Sequence, residues 1–149
     1  MNQADLTNAL VILDTNVLVH MLRDDKTWQA IDKTFQLSQR PEKPILSSIV
    51  EGEICGLAAS WFWGPSKLTQ LESALTEMVR VSAGEPEIVK SYASLYAQQS
   101  AIGKKIGEND LWIAATAVAI NGVVLTCDTD FQKMGSALVK HIYYDPKSQ

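Results

Sequence analysis

Short, continuous apolar runs constrain the fold of this chain more than any other feature of its sequence. In the clearest run, residues 9–13, five apolar residues follow one another without the alternation that is typical of a half-exposed strand. Such a run indicates a strand that is buried on both faces, as in a parallel sheet under helices. Further strands are predicted at 45–48, 78–81, 123–126 and 138–143.

The segments between these strands carry helical signals. Asp14 offers an N-cap for a helix through about Leu22, Pro65 can begin another helix, and Asn109 is expected to cap a third. The predicted helices are 14–22, 28–38, 49–61, 65–78, 87–101, 109–120 and a short one at 128–134. This alternation predicts a three-layer α/β fold with a central, mainly parallel sheet of four to five short strands flanked by helices.

The length of 149 residues supports one domain, and we expect residues 1–149 to form it, with a core over about 9–143. The longest apolar segments, 8–22 and 111–125, contain polar residues and are shorter than the roughly 18 residues that a membrane span needs. The polar start of the chain does not resemble a secretory signal. We therefore expect a soluble protein.

Two cysteines, Cys55 and Cys127, are too few for a disulfide framework or a four-ligand zinc site. Both lie in or beside apolar segments, and we expect reduced, largely buried thiols. Reduced thiols fit a cytoplasmic location.

Acidic residues stand near the carboxyl ends of predicted strands, or at the start of the helix that leads back to the sheet. They are Asp14, Glu51, Glu53, Asp110, Asp128 and Asp130. Open parallel sheets bind their ligands outside the carboxyl ends of the strands. The topology therefore predicts that acids from distant parts of the chain meet at one rim.

Carboxylates that cluster in this way repel one another unless a cation neutralises them. Mg²⁺ and Mn²⁺ prefer oxygen ligands, lower the pKa of a bound water and stabilise the negative charge of an attacked phosphodiester. His20 and His141 have no ligand-like spacing, so zinc is not indicated. The acids thus predict a Mg²⁺ or Mn²⁺ site.

Each acid also has an ordinary structural explanation. Asp14 can be only a helix cap, and Asp128 and Asp130 can be turn residues. Glu51 and Glu53 are two positions apart on a helix, so they point to different sides, and spacing alone does not choose between them. The coincidence of all the acids at one predicted rim favours the functional interpretation.

The chain resembles the PIN-domain ribonucleases and, among them, the VapC toxins of bacterial toxin–antitoxin pairs. Four blocks at 11–18, 46–54, 107–115 and 124–131 carry the resemblance and read VILDTNVL, LSSIVEGEI, GENDLWIAA and VLTCDTDF. They occur in the family's order and spacing, within about residues 9–143. The middle segment, 61–84, is longer than in the commonest toxins. The resemblance implies a parallel sheet flanked by helices and a Mg²⁺ or Mn²⁺ site.

Carried over residue by residue, the resemblance implies one catalytic and metal-binding set. Its members are Asp14, Glu53, Asp110 and Asp128. Asn16 and Thr126 match polar positions that support the acids by hydrogen bonding, and Asp130 matches an auxiliary or water-bridged position. Glu51 is left as a surface residue or a weak competitor of Glu53.

The resemblance implies that the protein is a metal-dependent endoribonuclease. It also implies that the protein is the homodimeric toxin of a VapBC-type pair, which a VapB-type antitoxin keeps inactive. A catalytically silent PIN module that binds RNA or a protein, and a PIN nuclease that is not a toxin, stay open as alternatives. A haloacid dehalogenase-type phosphatase is disfavoured because Asn16 stands where that class needs a second Asp. A phospho-receiver domain is disfavoured because no Asp follows the predicted strand 78–81.

Two further features have open interpretations. Lys104 and Lys105 lie in a Gly-flanked loop and could contact the RNA backbone, although a solvated lysine pair fits equally well. Trp61, Phe62 and Trp63 end a predicted helix, and packing in or near the core is favoured over a partner or dimer surface.

The net charge of −4 argues against a protein that holds nucleic acid by bulk positive charge. If bound cations offset five of the acids at the rim, the remaining charge changes from −4 to +1 and no longer opposes RNA. The charge balance therefore predicts that RNA binding at the site requires the metal.

Overall fold

The computed structural model describes residues 6, 8–134 and 138–148, and in these ranges five short strands form one sheet. The strands are β1 (Val11–Leu13), β2 (Ile45–Ser47), β3 (Val79–Val81), β4 (Val123–Thr126) and β5 (His141–Tyr143). Their order is β3-β2-β1-β4-β5, and every neighbouring pair is parallel. The chain runs outward from β1 to β3 and then returns to add β4 and β5 on the other side. The strand order therefore reverses beside β1, where α/β sheets form ligand-binding crevices.

Helices flank the sheet, which confirms the predicted α/β fold with a parallel sheet. They are α1 (Thr15–Arg23), α2 (Lys26–Phe35), α3 (Ser48–Ser60), α4 (Pro65–Thr76), α5 (Pro86–Ala101) and α6 (Glu108–Ile120). Short 3₁₀ turns cover Leu37–Gln39, Asp130–Met134 and Pro146–Ser148. Part of the predicted helix 28–38 and most of the predicted helix 128–134 are therefore 3₁₀ turns.

Burial explains why the central strands have continuous apolar sequences. All residues of β1, β2 and β4 are buried, whereas the edge strand β3 is largely exposed. In β5, only Ile142 is fully buried. Because both faces of the central strands pack against helices, every position along them must be compatible with the core.

Side-chain caps explain where the first helices begin. Asp14 caps α1, as predicted, and Asp25 caps α2 by accepting a hydrogen bond from the N–H of Trp28 at 3.0 Å. The second helix therefore begins before the predicted range 28–38. The predicted capping of α6 by Asn109 is wrong, because this helix begins at Glu108 and places Asn109 inside its first turn.

Two predictions about burial are also corrected by the structure. Cys55 is exposed, because it follows the buried Ile54 on α3 and the helical rotation turns it outward. Cys127 is half-buried. Of the three aromatic residues after α3, only Trp63 packs against the core, whereas Trp61 and Phe62 are exposed.

Within the described ranges, no helix combines the length and the apolar character that crossing a membrane requires. Most of the polar start of the chain, on which the expectation of no secretory signal rests, lies outside the described residues.

Candidate active site

Asp14 lies at the centre of the carboxyl edge of the sheet, directly after β1. Its side chain is 5% exposed and accepts a hydrogen bond from the N–H of Thr15 at 2.8 Å. It also accepts hydrogen bonds from the Thr126 hydroxyl at 2.7 Å and from the Asn16 amide at 3.3 Å. The two side chains predicted to support the acids therefore both contact Asp14, and together these bonds fix its orientation.

The end of β4 is tied to the start of α1 by the same polar side chains. The Thr126 hydroxyl accepts a hydrogen bond from the N–H of Asp128 at 2.9 Å, while it donates its proton to Asp14. The Asn16 side-chain oxygen accepts a hydrogen bond from the N–H of Cys127 at 3.0 Å. These contacts place the turn that carries Asp128 beside Asp14.

Helix α3 separates its two glutamates, as their spacing predicts. The carboxylate of Glu53 accepts a hydrogen bond from the Thr15 hydroxyl at 3.0 Å and faces the site. Glu51 instead forms an ion pair with Arg80 of β3, with 3.1 Å between Arg80 Nε and Glu51 Oε2. The helix therefore presents Glu53, and not Glu51, to the carboxyl edge of β1.

All four acids of the predicted set line one cleft of about 500 Å³, which we call the acid cleft. They are Asp14, Glu53, Asp110 and Asp128. Glu51 and Asp130 do not line it, and Asp130 is paired with Lys133 at 3.1 Å. The N–H of Asp130 also donates to the carboxylate of Asp128 at 3.0 Å, so Asp130 orients a cleft acid through its backbone.

Burial and mutual repulsion raise the pKa values of two of these acids. The pKa of Asp110 rises from 3.8 to about 7, mainly because the carboxyl is removed from solvent, and then because of the negative charges of Asp14, Asp130, Asp128 and Glu53. Burial also raises the pKa of Asp14, against the hydrogen bonds from Thr126 and Thr15. The acid cleft therefore favours bound protons or a cation over four bare carboxylates.

The chemistry of the donors fits a hard divalent cation. The acids that line the cleft offer only carboxylate oxygens. Burial raises the pKa of the neighbouring Cys127 to about 11, so its thiol is protonated at neutral pH, and Cys127 does not line the cleft. Among the side chains that the structure describes, no three Asp, Glu, His or Cys residues already form a metal-binding group. An ion in the cleft would therefore take its ligands after side-chain rotation, or through water.

Six further residues that line the acid cleft were not predicted as site residues from the sequence, namely Thr15, Val19, His20, Arg23, Leu57 and Trp61. His20 and Arg23 follow Asn16 at helical spacing on α1, and this spacing could have identified them. His20 Nδ1 lies 2.6 Å from the Asp25 carboxylate, so this ring nitrogen already takes part in a hydrogen bond. Trp61 also lines the cleft, and the Arg23 guanidinium lies 5.5 Å from the centre of its ring.

The predicted RNA-contacting lysines do not reach the acid cleft. Lys104 and Lys105 are exposed in the loop between α5 and α6, where they line a separate cavity of about 450 Å³ with Tyr96 and Gln99. Their contact with RNA stays a prediction.

Comparisons with known proteins agree with the fold and extend over most of the chain. The PIN domain family model matches residues 11–137. "VapC ribonuclease Y4jK" of Sinorhizobium fredii is 34% identical over 140 residues, which cover 87% of this chain and 96% of that protein. "Ribonuclease VapC1" of Haemophilus influenzae (strain R2866) is 28% identical over 129 residues, which cover 84% of this chain and 92% of that protein.

A solved structure shows the same fold at low sequence identity. It is VapBC2 from Rickettsia felis, bound to a DNA fragment from its promoter. It matches with a TM-score of 0.77 and 20% identity, over 91% of this chain and 99% of that chain. The five-stranded parallel sheet and its flanking helices are therefore common to both.

Proposed function

This chain belongs to the PIN-domain family, and from that premise we propose that it is an endoribonuclease that depends on Mg²⁺ or Mn²⁺. The observation that carries the proposal is the acid cleft. Four carboxylates from separate parts of the chain line one crevice at the point where the strand order reverses. The names of the two curated relatives support RNA as the substrate.

The chain's own residues would hold and orient the reacting groups. The four acids of the cleft would hold the ion or ions, directly or through water. When bound, the ion lowers the pKa of water and offsets the charge that develops on the attacked phosphate. Asn16, Thr15 and Thr126 keep Asp14 directed into the cleft, and Thr15 also directs Glu53. Asp130 serves as an auxiliary acid behind Asp128, and Lys104 and Lys105 contact more distant phosphates.

A catalytically silent binding module is the less favoured alternative. Burial, together with the mutual repulsion of the four carboxylates, raises the pKa values of Asp110 and Asp14, which destabilises the folded protein without a cation. A module that only binds RNA gains nothing from this arrangement, since negative charge also repels phosphates. A metal-dependent hydrolase, in contrast, requires clustered carboxylates to hold its cation.

We further propose that the protein, folded as one domain over residues 1–149, acts in the cytoplasm as the homodimeric toxin of a VapBC-type pair. The relatives named VapC and the structural likeness to VapBC2 support this assignment, with a VapB-type antitoxin as the partner. Growth arrest on expression, relieved by a co-expressed antitoxin, distinguishes a toxin from a PIN nuclease with another role.

The test of the nuclease is RNA cleavage with Mn²⁺ or Mg²⁺, with and without EDTA. We expect Asp14→Asn and Glu53→Gln to abolish cleavage, because each removes a carboxylate charge from the cleft while keeping the side-chain shape. Glu51→Gln is the matched control, since Glu51 lies on the same helix but pairs with Arg80 outside the cleft. Full cleavage by purified Asp14→Asn, with contaminating nuclease excluded, would refute the assignment.

A further inference from the structure

Helix α3 ends in a turn that places an aromatic residue where glycine is usual. The N–H of Phe62 donates to the carbonyl of Ala59 at 3.2 Å, and the N–H of Trp63 donates to the carbonyl of Ala58 at 3.0 Å. These two bonds form a Schellman motif, in which Phe62 takes the left-handed conformation with φ of 55°. A side chain with a Cβ is strained in this conformation, and glycine is not.

Packing within the described part of the chain does not compensate for this strain. Phe62 is 90% exposed, so its ring gains almost nothing from burial. The neighbouring Trp63 already supplies the apolar contact of the motif, because it packs against the core. The phenylalanine therefore destabilises the turn twice, through its backbone and through exposed apolar surface. This combination points to a binding role for the ring.

The surroundings of Phe62 are aromatic and positively charged. Trp61 is 44% exposed and lines the acid cleft together with Arg23. The Arg23 guanidinium lies 5.5 Å from the Trp61 ring centre, and the Lys67 ammonium lies 5.6 Å from the Trp63 ring centre. Neither cation has a carboxylate within ion-pair distance among the residues that the structure describes. We call residues 61–63 with these two cations the aromatic turn.

We infer that the aromatic turn binds single-stranded RNA, with Phe62 and Trp61 stacking on unpaired bases next to the phosphate in the acid cleft. This inference rests on the proposed nuclease function. Exposed aromatic rings beside cations that lack a carboxylate partner are the usual means of binding single strands, because rings stack on bases while cations contact phosphates. Trp61 and Arg23 belong to the aromatic turn and also line the acid cleft. An RNA strand can therefore pass from the aromatic turn into the acid cleft without interruption.

The occupant follows from the charge and the accessibility of the turn. Its two cations favour a polyanion over an apolar protein surface. Its exposed rings favour bases that are free to stack, and bases in a duplex are already stacked and paired. The aromatic turn should therefore discriminate single-stranded RNA from a duplex of the same sequence.

The test uses Phe62→Gly, a variant that removes the ring and relieves the backbone strain at once. We expect its Tm to rise by about 2–4 °C, so a failure to fold cannot explain any loss of binding. Binding is measured by fluorescence anisotropy with a labelled, unstructured RNA of roughly 12 nucleotides, in an Asp14→Asn background that leaves the RNA uncleaved. We expect Phe62→Gly to weaken this binding about tenfold and to leave duplex binding unchanged.

Two further variants separate the ring from the backbone. Phe62→Tyr keeps an aromatic ring, so it should retain the binding of single-stranded RNA. Gln36→Gly makes the same backbone change at an exposed left-handed position at the end of α2, with φ of 54°. It should raise Tm without changing RNA binding, because no aromatic ring is lost.

Cleavage of the same RNA in an otherwise wild-type background distinguishes the two proposals. A tenfold lower kcat/KM in Phe62→Gly, restored in Phe62→Tyr, supports the stacking role. Unchanged binding and cleavage in Phe62→Gly would overturn the stacking role and leave the nuclease intact, even if that variant loses a protein partner. Ring-dependent RNA binding without any wild-type cleavage would refute the nuclease and keep the stacking role. A wild-type protein that neither binds nor cleaves RNA would overturn both.

Discussion

Replacing Asp110 by Asn should stabilise the metal-free protein while abolishing its proposed activity. In the folded protein, the pKa of Asp110 stands at about 7 rather than 3.8. At about 1.4 kcal/mol per pKa unit, this difference corresponds to at most about 4 kcal/mol of unfavourable free energy for the ionised carboxylate. Asp110 is only partly buried, so solvent screening reduces the expected gain to about 2 kcal/mol. Asparagine keeps the shape and removes the charge.

The sign of the effect depends on pH. Because the pKa of Asp110 is higher in the folded than in the unfolded chain, the folded protein retains a proton that the unfolded chain releases. The contribution of this carboxyl to stability is therefore full at low pH and is lost as the pH rises from about 4 through about 7. Asp110→Asn lacks this dependence. The gain in the free energy of unfolding of Asp110→Asn over the wild type should be small near pH 4 and reach its full value near pH 8.

The assay is urea unfolding with EDTA at about pH 5 and about pH 8, together with Tm. A gain of about 2 kcal/mol corresponds to about 4–8 °C in Tm for a chain of this size. Glu108→Gln is the matched control, because Glu108 lies exposed in the same helical turn and does not line the acid cleft. Equal stabilities of Asp110→Asn and the wild type at about pH 8, or a difference that does not grow with pH, would refute the electrostatic reasoning.

Three further outcomes follow from the site and the sheet. Mn²⁺ or Mg²⁺ should raise Tm of the wild type and release protons on binding at about pH 7, as calorimetry in two buffers can show, whereas Asp14→Asn should respond weakly. Thr126→Val should cost about 1–3 kcal/mol in urea unfolding, because it removes a buried hydroxyl that bonds Asp14 and the backbone of Asp128, and it should slow cleavage. Gly122→Ala should cost about 1–3 kcal/mol without changing metal affinity, because its Cβ would lie 3.0 Å from the carbonyl oxygen of Leu10; an unchanged Tm would contradict that contact.

The central sheet could be predicted from the sequence because its strands are buried on both faces. Burial imposes continuous apolar runs at β1 and β4, and a run of that kind is visible without a structure. The position of Asp14 directly after β1 was predictable for the same reason. Parallel topology then places the end of β4, and with it Thr126 and Asp128, at the same edge.

Other parts of the site depend on geometry that the sequence does not specify. The choice between Glu51 and Glu53 depends on the rotation of α3 about its axis. The contacts reveal this rotation, because Glu51 pairs with Arg80 on one side of the helix and Glu53 accepts a hydrogen bond from Thr15 on the other. The exposure of Phe62 depends on one left-handed residue that turns the chain after α3. The resemblance to a family had to supply what residue spacing alone left open.

The bond between Thr126 and Asp14 joins residues that are 112 positions apart in the chain. Synthesis proceeds from the N terminus, so a growing chain carries Asp14 long before it carries the strand that completes the site. Pairing of β4 with β1 must await the emergence of β4 from the ribosome, and contacts of such long range form late. For the proposed nuclease, this order of assembly would keep the nascent chain inactive beside the RNA that encodes and synthesises it.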